Sequence, residues 1–319
     1  MKGDEIEEGA SFLIQDTEVR VRLDKVLAAR YKNNGSRTYF QMLIEKGLVL
    51  LNGEPVKKRF KPNLGDEVEL FFAAAPEIPL IPQPIPLHIL YEDDYLLIVD
   101  KPAGMVVHPA PGNWTGTFVN ALLYHCGYSL GGASLDSLRP GIVHRLDKET
   151  SGVLVAAKTL PVQQKLMELF ANRQVYKEYW AICLGNPGNC ELKGSIGRHP
   201  VHRKQMTVRE DGKEALTLCE TLEVRNDICL VRLVLSTGRT HQIRVHLKHA
   251  GHPILGDSIY GNKQVNLKYR AERQMLHARK IAFSHPITHQ KIVTEAPLPP
   301  DMEQFLKKRD MLERIKKCG

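Results

Sequence analysis

The residues best suited to chemistry lie between positions 139 and 158, in the stretch R-P-G-I-V-H-R-L-D-K-E-T-S-G-V-L-V-A-A-K. One carboxylate, Asp147, stands between the cations Arg145 and Lys148, with His144 before it and Thr150 and Ser151 after it. A carboxylate so placed can serve as a nucleophile, an ion-pair stabiliser or a proton acceptor. Ile142 and Val143 lead into this polar knot. After Gly152, the run Val153-Leu154-Val155-Ala156-Ala157 is short, β-branched and bounded by turn residues, so it reads as a buried strand. Asp147 then sits on a loop between two rigid apolar segments, where site residues tend to be held. On local chemistry alone the stretch fits a plain turn equally well, because Asp and Ser favour turns for their own hydrogen bonds.

Four other stretches carry candidate groups. V-R-L-V-L-S-T-G-R-T-H-Q-I-R-V-H (231–246) runs from a strand into Arg239, His241, Gln242, Arg244 and His246. His246, His249 and His252 suggest a metal set, and with it a metal-dependent nuclease. On a helix, however, three residues turn through roughly 300°, which fans the three rings over about 120°. Gly251 and Pro253 break a helix there, and no cysteine or paired carboxylate completes the set, so no metal site is expected. V-Y-K-E-Y-W-A-I-C-L-G (175–185) alternates as a strand; alone, its Tyr179 reads as a packed tyrosine with a bonded hydroxyl. G-R-H-P-V-H-R-K-Q-M-T-V (197–208) places Arg198, His202, Arg203 and Lys204 in what is, alone, a solvated basic loop. D-K-P-A-G-M-V-V-H-P (100–109) is an apolar strand end followed by a glycine turn.

Taken in order, H-R-L-D-x-x-T-S-G, the Asp100–Pro109 segment, K-x-Y-x-A, G-R-T-H-Q-I-R-V-H and L-H-A-R-K-I-A-F-S-H-P (276–286) strongly resemble the signatures of the RluA-type pseudouridine synthases. Including R-H-P…M-x-V, they are most similar to the RluC/RluD branch. The resemblance covers residues 20 to about 296 and implies an isomerase that converts uridine to pseudouridine in RNA without metal or cofactor. It makes Asp147 the catalytic nucleophile and pairs Arg239 with it. It stacks Tyr179 on the target base, where it handles protons, and has Arg145 fill the stack vacated by a flipped base. His144, Arg198, Arg203, Lys204, His241 and Arg244 become expected RNA contacts. Large-subunit (23S) ribosomal RNA is the expected substrate, with transfer RNA or another large-subunit site as alternatives. A noncatalytic ribosome-assembly factor on the same scaffold is the competing class. The fold implied is α+β, a catalytic domain with a central mixed, mostly antiparallel sheet flanked by helices and loops.

The elements that must position these groups follow from the rest of the chain. With 319 residues there is material for two domains. No stretch of 18 apolar residues occurs, the start is acidic rather than a signal peptide, and the six cysteines are scattered; a cytoplasmic chain with reduced thiols is expected. The net charge of +8 is unevenly spread: residues 20–62 hold 11 Lys/Arg against 3 Asp/Glu, whereas residues 1–19 hold one Lys against six acids. A concentrated basic segment is the footprint of a polyanion-binding face. Residues 12–22 alternate as an entering strand, Leu23 to Tyr31 has helical spacing, and Ser36 can cap a second helix. L-V-L-L-N-G and E-P-V-K-K-R-F form a hairpin at Asn52-Gly53, and D-E-V-E-L-F-F is a further strand.

This helix–helix–hairpin pattern resembles the RNA-binding module shared with ribosomal protein S-four, with Arg22, Lys25, Arg37, Lys57, Lys58 and Arg59 as phosphate contacts. The expected layout is an acidic segment (1–19), this module (20–75), a linker with five prolines in eleven residues (76–86), and the catalytic domain (87–319). A capping helix is expected from Gln304 onward. The expected partner is RNA rather than DNA or a membrane, and the expected state is a monomer.

Overall fold

The computed structural model describes residues 6–31, 37–57, 59–73, 80–109, 113, 115–127, 140–202 and 205–312. These fall into two compact units, one before residue 80 and one from Leu80 onward. Among the described residues no helix is long and apolar enough to cross a membrane.

The first unit contains β1 (Ile6–Leu13), α1 (Leu23–Arg30), α2 (Arg37–Glu45), β2 (Val49–Leu51), β3 (Glu54–Pro55) and β4 (Glu67–Ala73). Its sheet has the order β1-β4-β2-β3. Asn52 and Gly53, both at positive φ, make the tight turn that joins β2 to β3. Leu23, Val26 and Leu27 of α1 pack with Phe40, Leu43 and Ile44 of α2 on Val49, Val68 and Leu70 of the sheet. The entering strand lies earlier than its alternation suggested. β1 pairs with β4 and ends at Leu13, because Gln15 and Glu18 cap each other around a 3-10 turn while Glu18 holds Arg30. The acidic start is thus part of this sheet from Ile6 onward. Ser36, expected to cap α2, lies outside the described residues.

The second unit is built on one nine-stranded sheet. In chain order it holds β5 (His88–Glu92), β6 (Leu96–Lys101), α3 (Phe118–Cys126), β7 (Ser151–Ala157), α4 (Leu160–Ala171), β8 (Tyr176–Leu184), β9 (Cys190–Lys193), β10 (Ile196–Arg198), β11 (Met206–Val208), β12 (Leu216–Arg225), β13 (Ile228–Leu235), α5 (Gln242–His249), α6 (Lys263–Tyr269), β14 (Leu276–Ser284), β15 (Lys291–Glu295) and α7 (Pro300–Lys307). The order is β5-β6-β7-β14-β8-β13-β12-β9, with β15 beside β14, and β10 and β11 form a separate hairpin. Every pairing in the large sheet is antiparallel except β7 with β14. The mixed, mostly antiparallel α+β architecture is therefore present.

Two expectations are corrected. Residues 80–86 are docked rather than free linker: Gln83 donates its N–H to the Asn120 carbonyl, and the Asn120 side chain donates to the Ile81 carbonyl. The C-terminal helix runs from Pro300 to Lys307 instead of starting at Gln304, because consecutive prolines set its first turn. Met302, Phe305, Leu306, Met311 and Leu312 then close one end of the core.

The single parallel pairing decides where the catalytic-motif loop ends. Gly152 lies opposite Ala278 at φ +110°, and a Cβ there would stand 2.2 Å from the Ala278 carbonyl oxygen. Only glycine permits that approach. Gly152→Ala is expected to lower unfolding stability by at least ~2 kcal/mol, measured by urea denaturation; a loss near zero would contradict this packing.

Candidate active site

Asp147 sits at a bend fixed from four sides. Its own carbonyl accepts the Thr150 N–H at 3.0 Å. The Thr150 hydroxyl accepts from Gln274 at 2.7 Å, and Ser151 bonds the buried His277 at 2.9 Å. On the other flank, Lys101 is fully buried and directs its ammonium at the carbonyls of Pro102, Met105 and Lys148. Burial pulls this lysine down to about 7. Arg273 donates to the next carbonyl, that of Glu149, while its other nitrogens hold Asp301 at the start of α7. Two cations thus grip the two carbonyls that follow Asp147.

The carboxylate itself meets Arg244, not Arg239. Arg244 Nη1 donates to Asp147 Oδ2 at 2.9 Å, and its Nε and Nη2 clasp Asp257 at 2.7 and 2.9 Å. The Arg239 guanidinium turns instead to the Glu214 carbonyl and lines the mouth of the cavity. The reason is helical phase. Arg239 precedes α5, whereas Arg244 lies inside it on the face turned toward the sheet, only 4 % exposed. Burial works against the Arg244 charge, and the carboxylates of Asp257 and Asp147 more than offset it, so its basicity is raised. Asp257 is buried too, but hydrogen bonds from Arg244 and from the N–H groups of Tyr260 and Ile259 hold its carboxyl below the usual range.

Tyr179 reaches the same cavity from β8, where it pairs with Leu233 on one side and Ala278 on the other. Burial, and then the charge of Asp147, push its phenol well above the ordinary range. The cavity, about 60 Å³, is walled by Arg145, Leu146, Asp147, Tyr179, His241, Arg244 and their apolar neighbours Leu235, Ile243 and Leu276. It offers a carboxylate and a phenol beside an apolar slot, with two further guanidinium groups, Arg145 and Arg239, at its edge. That set suits a flat polar ring next to a centre that develops positive charge.

Several expected RNA contacts have other partners. The His144 ring stacks on Phe170 at 4.6 Å and its Nε2 accepts the Val155 N–H, so it braces β7; burial lowers it to about 3. Arg244 is interior, as described. His241 lies within the cavity wall, 3.7 Å from Asp147. Arg22 makes a two-bond clasp with buried Asp24, and Arg37 adds a third contact to the same carboxylate. Lys25, Lys57, Arg59 and Arg198 are exposed, as phosphate contacts require, and Arg145 is exposed at the cavity edge. Lys58, Arg203 and Lys204 lie outside the described residues. The three histidines diverge: His246 bonds Thr217 and faces the Gly194 carbonyl, His252 bonds the Leu184 carbonyl, and His249 is exposed.

Asp257, Tyr260, Lys101 and Arg273 brace the residues around Asp147, and the sequence reading did not single them out. A usable signal existed for Asp257, an aspartate flanked by I-L-G and S-I-Y-G, which marks a charge carried into an apolar setting and in need of a partner.

Comparison with known proteins agrees with this geometry. Residues 95–249 match the RNA pseudouridylate synthase family, and residues 21–68 match the S4 domain. A protein of Chlorobaculum parvum described as an RNA pseudouridine synthase is 43 % identical over 92 % of this chain and 96 % of that one. The ribosomal large subunit pseudouridine synthase D of Neisseria meningitidis serogroup A is 40 % identical over 89 % of this chain and 78 % of its own length. Among solved structures, human RNA pseudouridylate synthase domain containing 1 superposes with a TM-score of 0.56 at 27 % identity, over 69 % of this chain and 87 % of that one. The chain belongs to the RNA pseudouridylate synthase family: it is an RNA pseudouridine synthase, an isomerase, with an N-terminal S4 domain.

Two stability outcomes follow from the buried charges. Arg244→Met leaves Asp257 buried without its partner and is expected to cost ~3–5 kcal/mol in chemical denaturation, while Arg239→Ala stays within about 0.5 kcal/mol of the parent. His277 and His144, lowered to about 4 and about 3 by burial, are neutral in the folded chain, whereas the unfolded chain takes up protons near 6.5. Their contribution to stability is therefore full above pH 6.5 and is lost as pH drops from about 6.5 toward 3, which thermal unfolding across that range would register.

Proposed function

We propose that this enzyme isomerises specific uridines of large-subunit ribosomal RNA, working as a monomer in the cytoplasm, with Asp147 as the nucleophile. The observation that carries the assignment of Asp147 is its placement: one carboxylate on the cavity wall, with Oδ2 bonded to the interior Arg244–Asp257 pair and Tyr179 beside it. The ribosomal substrate draws on the large-subunit synthases D, of Neisseria and of Pasteurella multocida, the latter 39 % identical over 92 % of this chain.

The reaction breaks the bond between the uracil ring nitrogen and the anomeric carbon, turns the ring, and joins the anomeric carbon to carbon 5; carbon 5 gives up its proton and the freed ring nitrogen takes one up. Asp147 supplies negative charge where the sugar becomes electron-poor, and a carboxylate is a proven partner for an anomeric centre. Arg244 orients that carboxylate. Tyr179 packs on the detached ring and relays the carbon 5 proton, passing its own on toward Asp147 as it takes that one. Arg145 at the cavity edge occupies the space that the flipped base leaves in the RNA stack. Exposed Lys25, Lys57 and Arg59 of the first unit, with Arg198 of the second, bind phosphates and add salt-sensitive affinity.

Pseudouridine mapping of total RNA tests the assignment, using cells that lack the gene and are complemented with wild type or Asp147→Asn. The expected result is loss of one or a few large-subunit sites, restored by wild type and not by the variant, with the purified variant slowed by ~10³-fold or more. Missing sites confined to transfer RNA would move the substrate, and an unchanged map would favour an assembly role. Tyr179→Phe is expected to lower the chemical rate by about 10²-fold or more with little change in RNA affinity, measured by single turnover and filter binding.

A further inference from the structure

Beside Asp147 lies a second hydrogen-bonded chain that the mechanism has not used. The Tyr260 hydroxyl accepts the backbone N–H of Met206 at 2.7 Å and lies 2.8 Å from His241 Nδ1. The far ring nitrogen, His241 Nε2, faces Asp147 Oδ1 at 3.7 Å. Arg244 already holds Oδ2. The two carboxylate oxygens are therefore differently partnered: Oδ2 is bonded to an interior guanidinium, and Oδ1 faces an imidazole across a gap slightly wider than a hydrogen bond.

The direction assigned to the chain runs outward from Met206. With its oxygen accepting from Met206, the phenol has one proton to give, and His241 Nδ1 is within reach. With the phenol donating, Nδ1 accepts and the ring proton falls on Nε2, toward Asp147. The backbone supports this arrangement. His241 caps α5 in the left-handed conformation at φ +57°, an uncommon posture for a side-chain-bearing residue, and its ring lies between Tyr260 and Asp147 rather than bonding the first turn of the helix. The ring also packs edge-on against Tyr260, with centroids 5.6 Å apart.

We propose that Tyr260 and His241 form a positioning pair for the reaction. Tyr260 fixes His241 as the neutral tautomer protonated at Nε2, and His241 orients Asp147 so that Oδ1 is the oxygen presented to the sugar. This rests on Asp147 being the nucleophile. A neutral ring is required, because an imidazolium at that position would tie up Oδ1 as a salt bridge. The groups facing His241 are Asp147 and Arg145 from the loop, Arg244 from α5, and Asp257 and Tyr260 from the following turn. Burial, with Arg244 and Arg145, lowers the imidazole against the pull of Asp147 and Asp257, which agrees with a neutral ring at physiological pH.

The test uses the full-length chain and RNA isolated from cells lacking the gene, labelled with tritium at uridine carbon 5, since the reaction releases that label. Single-turnover rates and pH profiles are compared for wild type, Asp147→Asn, His241→Gln, His241→Asn, His241→Ala and Tyr260→Phe. A Gln amide can reach the Nε2 position and donate there, whereas Asn reaches only the Nδ1 position. Expected are rates about tenfold or more higher for His241→Gln than for His241→Ala or His241→Asn, at unchanged RNA affinity. Tyr260→Phe should lose about tenfold and show an acid limb moved up toward pH 6.5, because its freed imidazole protonates more readily. Equal losses in the three His241 variants, or a Tyr260→Phe profile that superimposes on wild type, would overturn the pair. Activity retained by Asp147→Asn would instead overturn the nucleophile assignment on which the pair rests.

Discussion

The site depends on a run of three charges, Asp147, Arg244 and Asp257, of which the last two are buried. A guanidinium taken out of water is tolerated only when its donors are matched, and here the planar fork is filled from both sides by carboxylates. The consequence is geometric as much as energetic. Because Asp257 takes two of the guanidinium nitrogens, Arg244 has little freedom to turn, and the nitrogen it presents to Asp147 is set by the body of the protein. Much of the surrounding structure makes that arrangement possible. The N–H groups of Ile259 and Tyr260 complete the Asp257 shell, and Gln242 anchors the start of α5 to β12 through Leu216 and Thr217.

The loop bearing Asp147 is held by a different principle. Its carbonyls would be costly to leave unpaired in a closed site, and two of them are taken by side-chain cations, Lys101 and Arg273, instead of by a strand ladder. Those cations come from sequence positions on opposite sides of the motif. Lys101 ends β6 and Arg273 precedes β14, so the loop becomes rigid only when the sheet has assembled around it. Glycine at position 152 then lets β7 begin against β14 with no side chain between them. Rigidity of this kind suits a reaction whose intermediate must be retained and turned within its pocket.

The first unit shows the limit of reading charge as function. Eleven cations within 43 residues mark a polyanion surface, and the exposed positions Lys25, Lys57 and Arg59 are consistent with that. Arg22 and Arg37, from the same cluster, converge on the buried carboxylate of Asp24 and join α1 to α2. Sequence alone does not separate the two uses, because the difference lies in whether a carboxylate happens to be buried within reach. The same applies to His144, whose place in the motif suggests contact with substrate but whose ring is stacked on Phe170.

The sequence by itself determined the class of chemistry, the loop proposed to carry it, the α+β pattern and the two-unit layout. Each of these rests on local order: motif spacing, strand alternation, the Asn-Gly turn and the glycine after T-S. What only the tertiary structure decided is pairing. Arg239 and Arg244 lie five residues apart in one motif, and nothing in their order says which meets Asp147; the turn of α5 against the sheet selects the second. Asp257, Tyr260, Lys101 and Arg273 come to Asp147 across 46 to 126 residues of chain, by contacts that exist only after β6, β7, β14 and α5 have packed. A side chain's type is written locally, but its partner is fixed by the fold, because hydrogen bonds and ion pairs act over a few ångströms of space and are blind to distance along the chain.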